Sequence, residues 1–204
     1  SGGNTVWNEM LWDIVQRTRH DLNPAWKVQL GCDVARYGYD DTCLFVKQGP
    51  CLLHSERHNG WGTNQTAARL KELCWQHRGP HEPKEVPCLI DGIGVGGGVV
   101  DQHEGFMFID VQSSRQSSQP QKYYNLRSEL WFTPTEHAAA GLLDISRLPE
   151  TERNRLKTEL LSVKYDLDSS DRQRVEAKLK TRSTLKRSPD YADAFNLSCY
   201  WVHE

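Results

Sequence analysis

Residues 26–56 restrict the fold most, because three short apolar runs follow one another there with only turns between them. Residues 26–35 read as a first strand. The turn Arg36-Tyr-Gly-Tyr-Asp-Asp41 leads into residues 42–46, and Gln48-Gly49-Pro50 leads into residues 51–56, which predicts three consecutive antiparallel strands. At Thr63 the period changes to helical, with Ala67, Leu70, Leu73 and Cys74 on one face. Residues 86–91 then form a buried strand that meets glycines at once, followed by a brief helix to about Glu104 and a strand over 106–111. Antiparallel strands followed by a βαβ pattern predict an α/β domain, a mixed central sheet flanked by α-helices.

Outside this frame, Val6, Trp7, Met10, Leu11, Ile14 and Val15 recur at helical spacing over residues 5–18, with Asn4 as cap, before Asn23-Pro24 breaks the pattern. Residues 1–25 are therefore read as an N-terminal helix and linker, and 26–204 as one domain. Residues 112–121 are Ser/Gln-rich and read as a loop. A helix over 123–131 is expected to kink or end at Thr133-Pro134, and another opens at Leu148-Pro149. An additional β-hairpin is predicted to turn at Asp168-Ser-Ser-Asp171, and a last helix to start with Ser188 as cap and Pro189 at its first position.

The formal net charge of −2 gives no overall basic excess, so any nucleic-acid contact must come from local clustering. The six cysteines form no CxxC pair, which fits a reducing interior. No HExxH and no zinc-type Cys/His spacing occurs, so a metal here would be oxygen-ligated. No apolar stretch of membrane-spanning length and no basic-then-apolar leader is present, so neither insertion nor export is expected.

Three acidic positions stand out. Asp33 lies in an apolar strand, where an unpartnered carboxylate costs several kcal/mol. Asp91 ends a second apolar strand, where α/β domains place ligands. Asp190 and Asp193 fall at i and i+3 on the first turn of a helix, where two like charges repel unless a cation lies between them. Each alone is explained as a turn cap or as a complement to the helix dipole. Together, acids on separate elements suit two hard cations astride a phosphodiester.

Gly31-Cys-Asp33-Val-Ala-Arg-Tyr-Gly-Tyr-Asp-Asp41-Thr, Leu89-Ile-Asp91-Gly-Ile-Gly-Val-Gly, Tyr124-Asn-Leu-Arg127-Ser-Glu129-Leu-Trp131 and Arg187-Ser-Pro-Asp190-Tyr-Ala-Asp193-Ala occur in that order. Together they resemble the nuclease domain of tailed-phage terminase large subunits over roughly residues 26–200. The resemblance implies a ribonuclease H-like fold related to Holliday-junction resolvases, and an endonuclease that cuts concatemeric viral DNA during genome packaging by two-metal-ion hydrolysis. It implies Asp33, Asp91 and Asp190 as catalytic metal ligands with Asp193 as a fourth, Asp41 assisting through water, and two Mg2+ or Mn2+ ions as cofactors. The family's ATPase motor carries a phosphate loop, yet no GxxxxGK[ST] occurs here, so the motor is expected to be absent from this chain. Expected partners of the whole protein are double-stranded DNA, the motor domain, the terminase small subunit and the capsid portal. Its expected place is the host-cell cytoplasm, transiently at the procapsid.

Arg172, Arg174, Lys178, Lys180, Arg182, Lys186 and Arg187 crowd a stretch whose only acid is Glu176. Strand alternation would put Arg174, Glu176, Lys178 and Lys180 on one sheet face, suited to a phosphate backbone, and the DNA-binding set is read as Arg174, Lys178, Lys180, Arg182, Lys186 and Arg187. Two rivals remain. Gly92-x-Gly94-x-x-Gly97 matches a Rossmann dinucleotide fingerprint, although Asp110 follows too soon for a ribose contact. A catalytically silent DNA-binding module of the ribonuclease H fold would keep the basic stretch without the metal.

Overall fold

The computed structural model describes residues 4–36, 38–92 and 94–200. In chain order the elements are β1 (Asn4–Thr5), α1 (Glu9–Arg17), β2 (Val28–Asp33), β3 (Asp41–Gln48), β4 (Cys51–Asn59), α2 (Thr63–His77), β5 (Cys88–Asp91), α3 (Val95–Val100) and β6 (Phe108–Asp110). There follow α4 (Leu126–Ala139), α5 (Glu150–Leu160), β7 (Lys164–Leu167), β8 (Gln173–Val175), α6 (Lys178–Leu185) and α7 (Asp190–Cys199). The main sheet runs β4-β3-β2-β5-β6 and is mixed: β2 pairs antiparallel with β3 and parallel with β5. The three antiparallel strands and the βαβ unit are as the sequence predicts.

Alternation along β2 assigns its residues to two layers. Val28, Leu30 and Cys32 pack with Leu70 and Leu73 of α2 and Ile90 of β5. Gln29, Gly31 and Asp33 face α7 instead, and each has a separate task along that helix. Gln29 Nε2 donates to the carbonyls of Leu197 and Tyr200, satisfying the C-terminal end of α7. A Cβ on Gly31 would stand 2.3 Å from the Ala194 carbonyl oxygen, so only glycine lets the helix lie this close. Asp33 then meets the first turn of α7. This second layer also holds Phe45, Tyr191 and Phe195 with Trp12 and Val15 of α1, Trp131 of α4 and Leu156 and Leu160 of α5.

The predicted hairpin is β7–β8, and β1 pairs with β7 to make a second, three-stranded sheet. Several boundaries differ from expectation. The first helix begins at Glu9, capped by Asn8 rather than Asn4, whose residue lies in β1. α4 continues through Pro134 to Ala139, since a single missing backbone donor costs less than the burial of Trp131, Phe132 and Ala138 on the same helix. α7 begins one residue late, with Pro189 at the cap.

The largest departure is at residues 178–185. These form the helix α6, whereas the strand ends at Val175. Lys178 and Lys180 therefore do not share a sheet face with Arg174. The glycines after Asp91 serve packing: a Cβ on Gly92 would be 2.7 Å from the Gly96 nitrogen, and one on Gly98 would be 3.2 Å from Thr63 Cγ2. They seat a six-residue helix between β5 and α2, and that short helix does not fit the dinucleotide reading.

Candidate metal centre

Asp33, Asp91, Asp190 and Asp193 line one cleft of about 290 Å³, together with Lys178, Arg127 and Ser113. Asp33 and Asp91 stand opposite each other in register on the parallel strands β2 and β5, so both project toward α7. Asp190 and Asp193 come from its first turn. One oxygen each from Asp33, Asp190 and Asp193 lies within 4.8 Å of the others, and all three residues are buried. These are the donor type and spacing that a hard divalent cation takes.

The point where they converge holds a cation of the protein's own. Lys178 Nζ lies 3.1 Å from Asp33 Oδ2, 2.9 Å from Asp190 Oδ1 and 3.0 Å from Asp193 Oδ2. The ammonium enters from the start of α6, and the side chain is 39% exposed along its length. Burial works against its charge, but Asp33, Asp193 and Asp190 outweigh burial and hold its pKa well above the lysine range. It therefore stays charged at any physiological pH.

The acids are not equivalent. Burial pushes the Asp33 carboxyl well up, Lys178 pulls it back, and the neighbouring acids raise it further. Burial and then Asp193 raise Asp91, with Lys178 and a hydrogen bond to Ser113 opposing them. Burial acts on Asp193 too, but Lys178 and Arg127 prevail and keep it below the carboxylate range.

Asp193 Oδ1 accepts from Arg127 Nη1 and Trp131 Nε1, both at 3.1 Å. Two members of the Tyr124–Trp131 motif thus hold one oxygen of one acid. Of the helix pair, Asp190 keeps more of its coordinating capacity. Trp131→Phe removes the indole donor and keeps the ring, so we expect a loss of about 1–2 kcal/mol in denaturant unfolding; an unchanged midpoint would show that Arg127 suffices.

The other sequence-predicted positions scatter. Asp41 faces away, accepting from Asn59 and lying 3.8 Å from Arg155, whereas Asp40 lines the cleft and pairs with Arg182 at 3.1 Å. Arg174 is bound to Asp166 on the hairpin surface. Lys180 and Lys186 are exposed on or beside α6. Arg187 turns inward to Glu159.

Glu159 is a residue that sequence reasoning missed. Fully buried, it accepts from the backbone N–H groups of Tyr191 and Ala192 at 3.1 Å and thereby fixes the first turn of α7. Its signal was present, since it sits beside Leu156 and Leu160 on the apolar face of a charged helix.

No family model matches the sequence, and no curated protein matches it. Among solved structures, the nuclease domain of the large terminase subunit of bacterial virus Sf6 superposes with a TM-score of 0.79 at 13% identity, covering 98% of this chain and 100% of that one. The fold is that of a terminase nuclease. Equivalent domains from thermophilic phage G20c and Thermus phage P74-26 match at TM-scores of 0.62 and 0.64, both at 16% identity and over 96% of this chain. They cover 97% and 94% of those chains, respectively. The Sf6 domain is also solved as a variant with manganese, and the G20c domain with magnesium. The terminase-nuclease fold is thus the ribonuclease H-like arrangement expected from the sequence. Among the described residues no helix is long and apolar enough to cross a membrane.

Proposed function

We propose that this chain is a metal-dependent endodeoxyribonuclease domain, with Asp33, Asp91, Asp190 and Asp193 holding two Mg2+ or Mn2+ ions. The observation that carries this reading is the convergence of buried carboxylates from β2 and α7 on one point already filled by an ammonium, with Asp91 of β5 lining the same cleft. Without a cation, such a group of acids costs too much to keep. Bound divalent ions supply Lewis acidity toward a phosphodiester and its attacking water.

The protein's own residues do the positioning. Asp33 lies between Asp91 on the neighbouring strand and the acids of α7, so it is the ligand suited to both ions. Arg127 and Trp131 fix Asp193. Arg36 and Arg182 line the same cleft and suit a DNA phosphate, while Lys180 and Lys186 lie exposed nearby to meet the backbone beyond it. Such contacts are tolerant of sequence, so the domain's cutting has little intrinsic specificity. In a whole packaging enzyme, beside an ATPase motor, a small subunit and a portal, this activity would cut concatemeric viral DNA in the host cytoplasm and at the procapsid.

The test is nicking of supercoiled plasmid by the purified chain with Mg2+ or Mn2+, beside Asp91→Ala and Asp190→Ala. We expect cutting that chelator abolishes and that both variants lose. Cutting that survives chelator, or is undiminished in both variants, overturns the reading.

Lys178 must yield its place before a cation binds, and because its charge is fixed it does so by moving. We expect Lys178→Ala to bind Mn2+ roughly tenfold more tightly in calorimetry, equivalent to about 1.4 kcal/mol. We also expect it to melt lower in chelator and to show a larger metal-induced rise in Tm than the parent. Equal or weaker Mn2+ affinity in the variant would show that the ammonium and the metal do not compete.

A further inference from the structure

Beneath the acid cluster lies a small cavity of about 10 Å³, lined by Asp91, Ser113, Arg127, Asp193 and Asn196 together with apolar side chains. Asn196, on α7, is 2% exposed, yet neither its Nδ2 nor its Oδ1 has a hydrogen-bond partner within the protein. Arg127 Nη2 is buried and likewise unbonded, although its Nη1 holds Asp193. Buried amides and guanidinium N–H groups are seldom left unpaired, because each costs about 1–3 kcal/mol. Here the unpaired groups surround a space the size of one water, which needs on the order of 10 Å³ and two to four polar partners.

We infer that one ordered water occupies this cavity, and that Asn196 acts through it as a positioning residue for Asp91. The water accepts from Arg127 Nη2 and from the Asn196 amide and donates to the Asp91 carboxylate. The arrangement answers a need of that acid. Lys178 ties Asp33, Asp190 and Asp193 together, but Asp91 lies outside that tie and is held by Ser113. A water anchored to α7 and α4 would keep the carboxylate of β5 aimed into the cleft and link it to Asp193 through Arg127. Outer partners of this kind commonly govern metal affinity.

This inference rests on the reading of the acids as a metal site, and calorimetric Mn2+ titration separates the two. Asn196→Leu keeps the side chain's shape and removes its polar atoms; we expect roughly tenfold weaker Mn2+ binding. Asn196→Ser keeps a hydroxyl and room for the water, and should stay within about threefold of the parent. If the parent binds no Mn2+, both readings fall. If the parent binds and Asn196→Leu binds equally well, the site stands and the positioning role is overturned. Should Asn196→Leu not fold, a high-resolution crystal structure of the parent decides. Density for a water within hydrogen-bond reach of Arg127, Asn196 and Asp91 supports the inference, and a dry cavity refutes it.

Discussion

Asp33→Asn is expected to lower plasmid nicking by at least about 10³-fold, some 4 kcal/mol of barrier, while leaving the chain folded and more stable than its parent. The activity loss follows from position. Asp33 is the acid between β5 and α7, and an amide offers a cation neither charge nor two equivalent oxygens. The stability gain follows from burial, which raises the pKa of this carboxyl in the folded chain more than Lys178 lowers it. A carboxyl with a raised folded pKa makes its folded state more favourable at low pH. Its contribution then declines as pH climbs from the ordinary aspartate value near 4 through the raised one.

In chelator at pH 7, Asp33→Asn escapes that decline, and its Tm should exceed the parent's by roughly 2–4 °C. Below about pH 4 the difference should vanish. With Mn2+ present the order should reverse, because only the parent gains from binding. Nicking within about tenfold of the parent would remove Asp33 from the metal centre. A lower Tm in chelator would show that its pairing with Lys178 outweighs its burial.

Glu159→Ala carries the largest expected cost in stability, about 3–5 kcal/mol, or a Tm lower by about 10 °C or more. Four groups depend on this carboxylate. The backbone N–H groups of Tyr191 and Ala192 point at it from the uncapped start of α7, and Arg155 and Arg187 flank it. Truncation leaves two buried amide donors without an acceptor, and no side-chain cap on α7 replaces it. Because those amides adjoin Asp190, Mn2+ affinity should fall as well. Glu159→Gln retains an acceptor oxygen and should recover part of both losses. A Tm within about 2 °C of the parent would show that α7 holds its own first turn.

These two acids mark where the sequence was legible and where it was not. Asp33 could be read because an ionisable group amid Val28, Leu30 and Cys32 conflicts with its neighbours, and conflicts of that kind concentrate at functional sites. Asp91 and the Asp190/Asp193 pair followed by the same logic. Glu159 is passed over despite its place beside Leu156 and Leu160, because with Arg155 four residues earlier it looks like an ordinary exposed helix pair.

Lys178 was misplaced for a different reason. The segment from Arg172 to Arg187 has almost no apolar periodicity, and only Thr181 of α6 is buried. Alternating charges therefore imitated a strand where a helix stands. The Arg127 and Trp131 motif was visible as a pattern, but its task depends on a partner 62 residues on from Trp131, which spacing within the motif cannot reveal.

The contact between Gly31 and α7 has a consequence in time as well as in space. Asp33 and Asp91 can come into register once β5 has joined β2, but the cleft acquires its remaining acids only when a helix more than 150 residues further along the chain lies down on Gly31. Contacts of such separation form late in folding. A ribosome-bound chain would therefore carry a completed sheet before it carries a working centre, and the blade would be ready only after the handle.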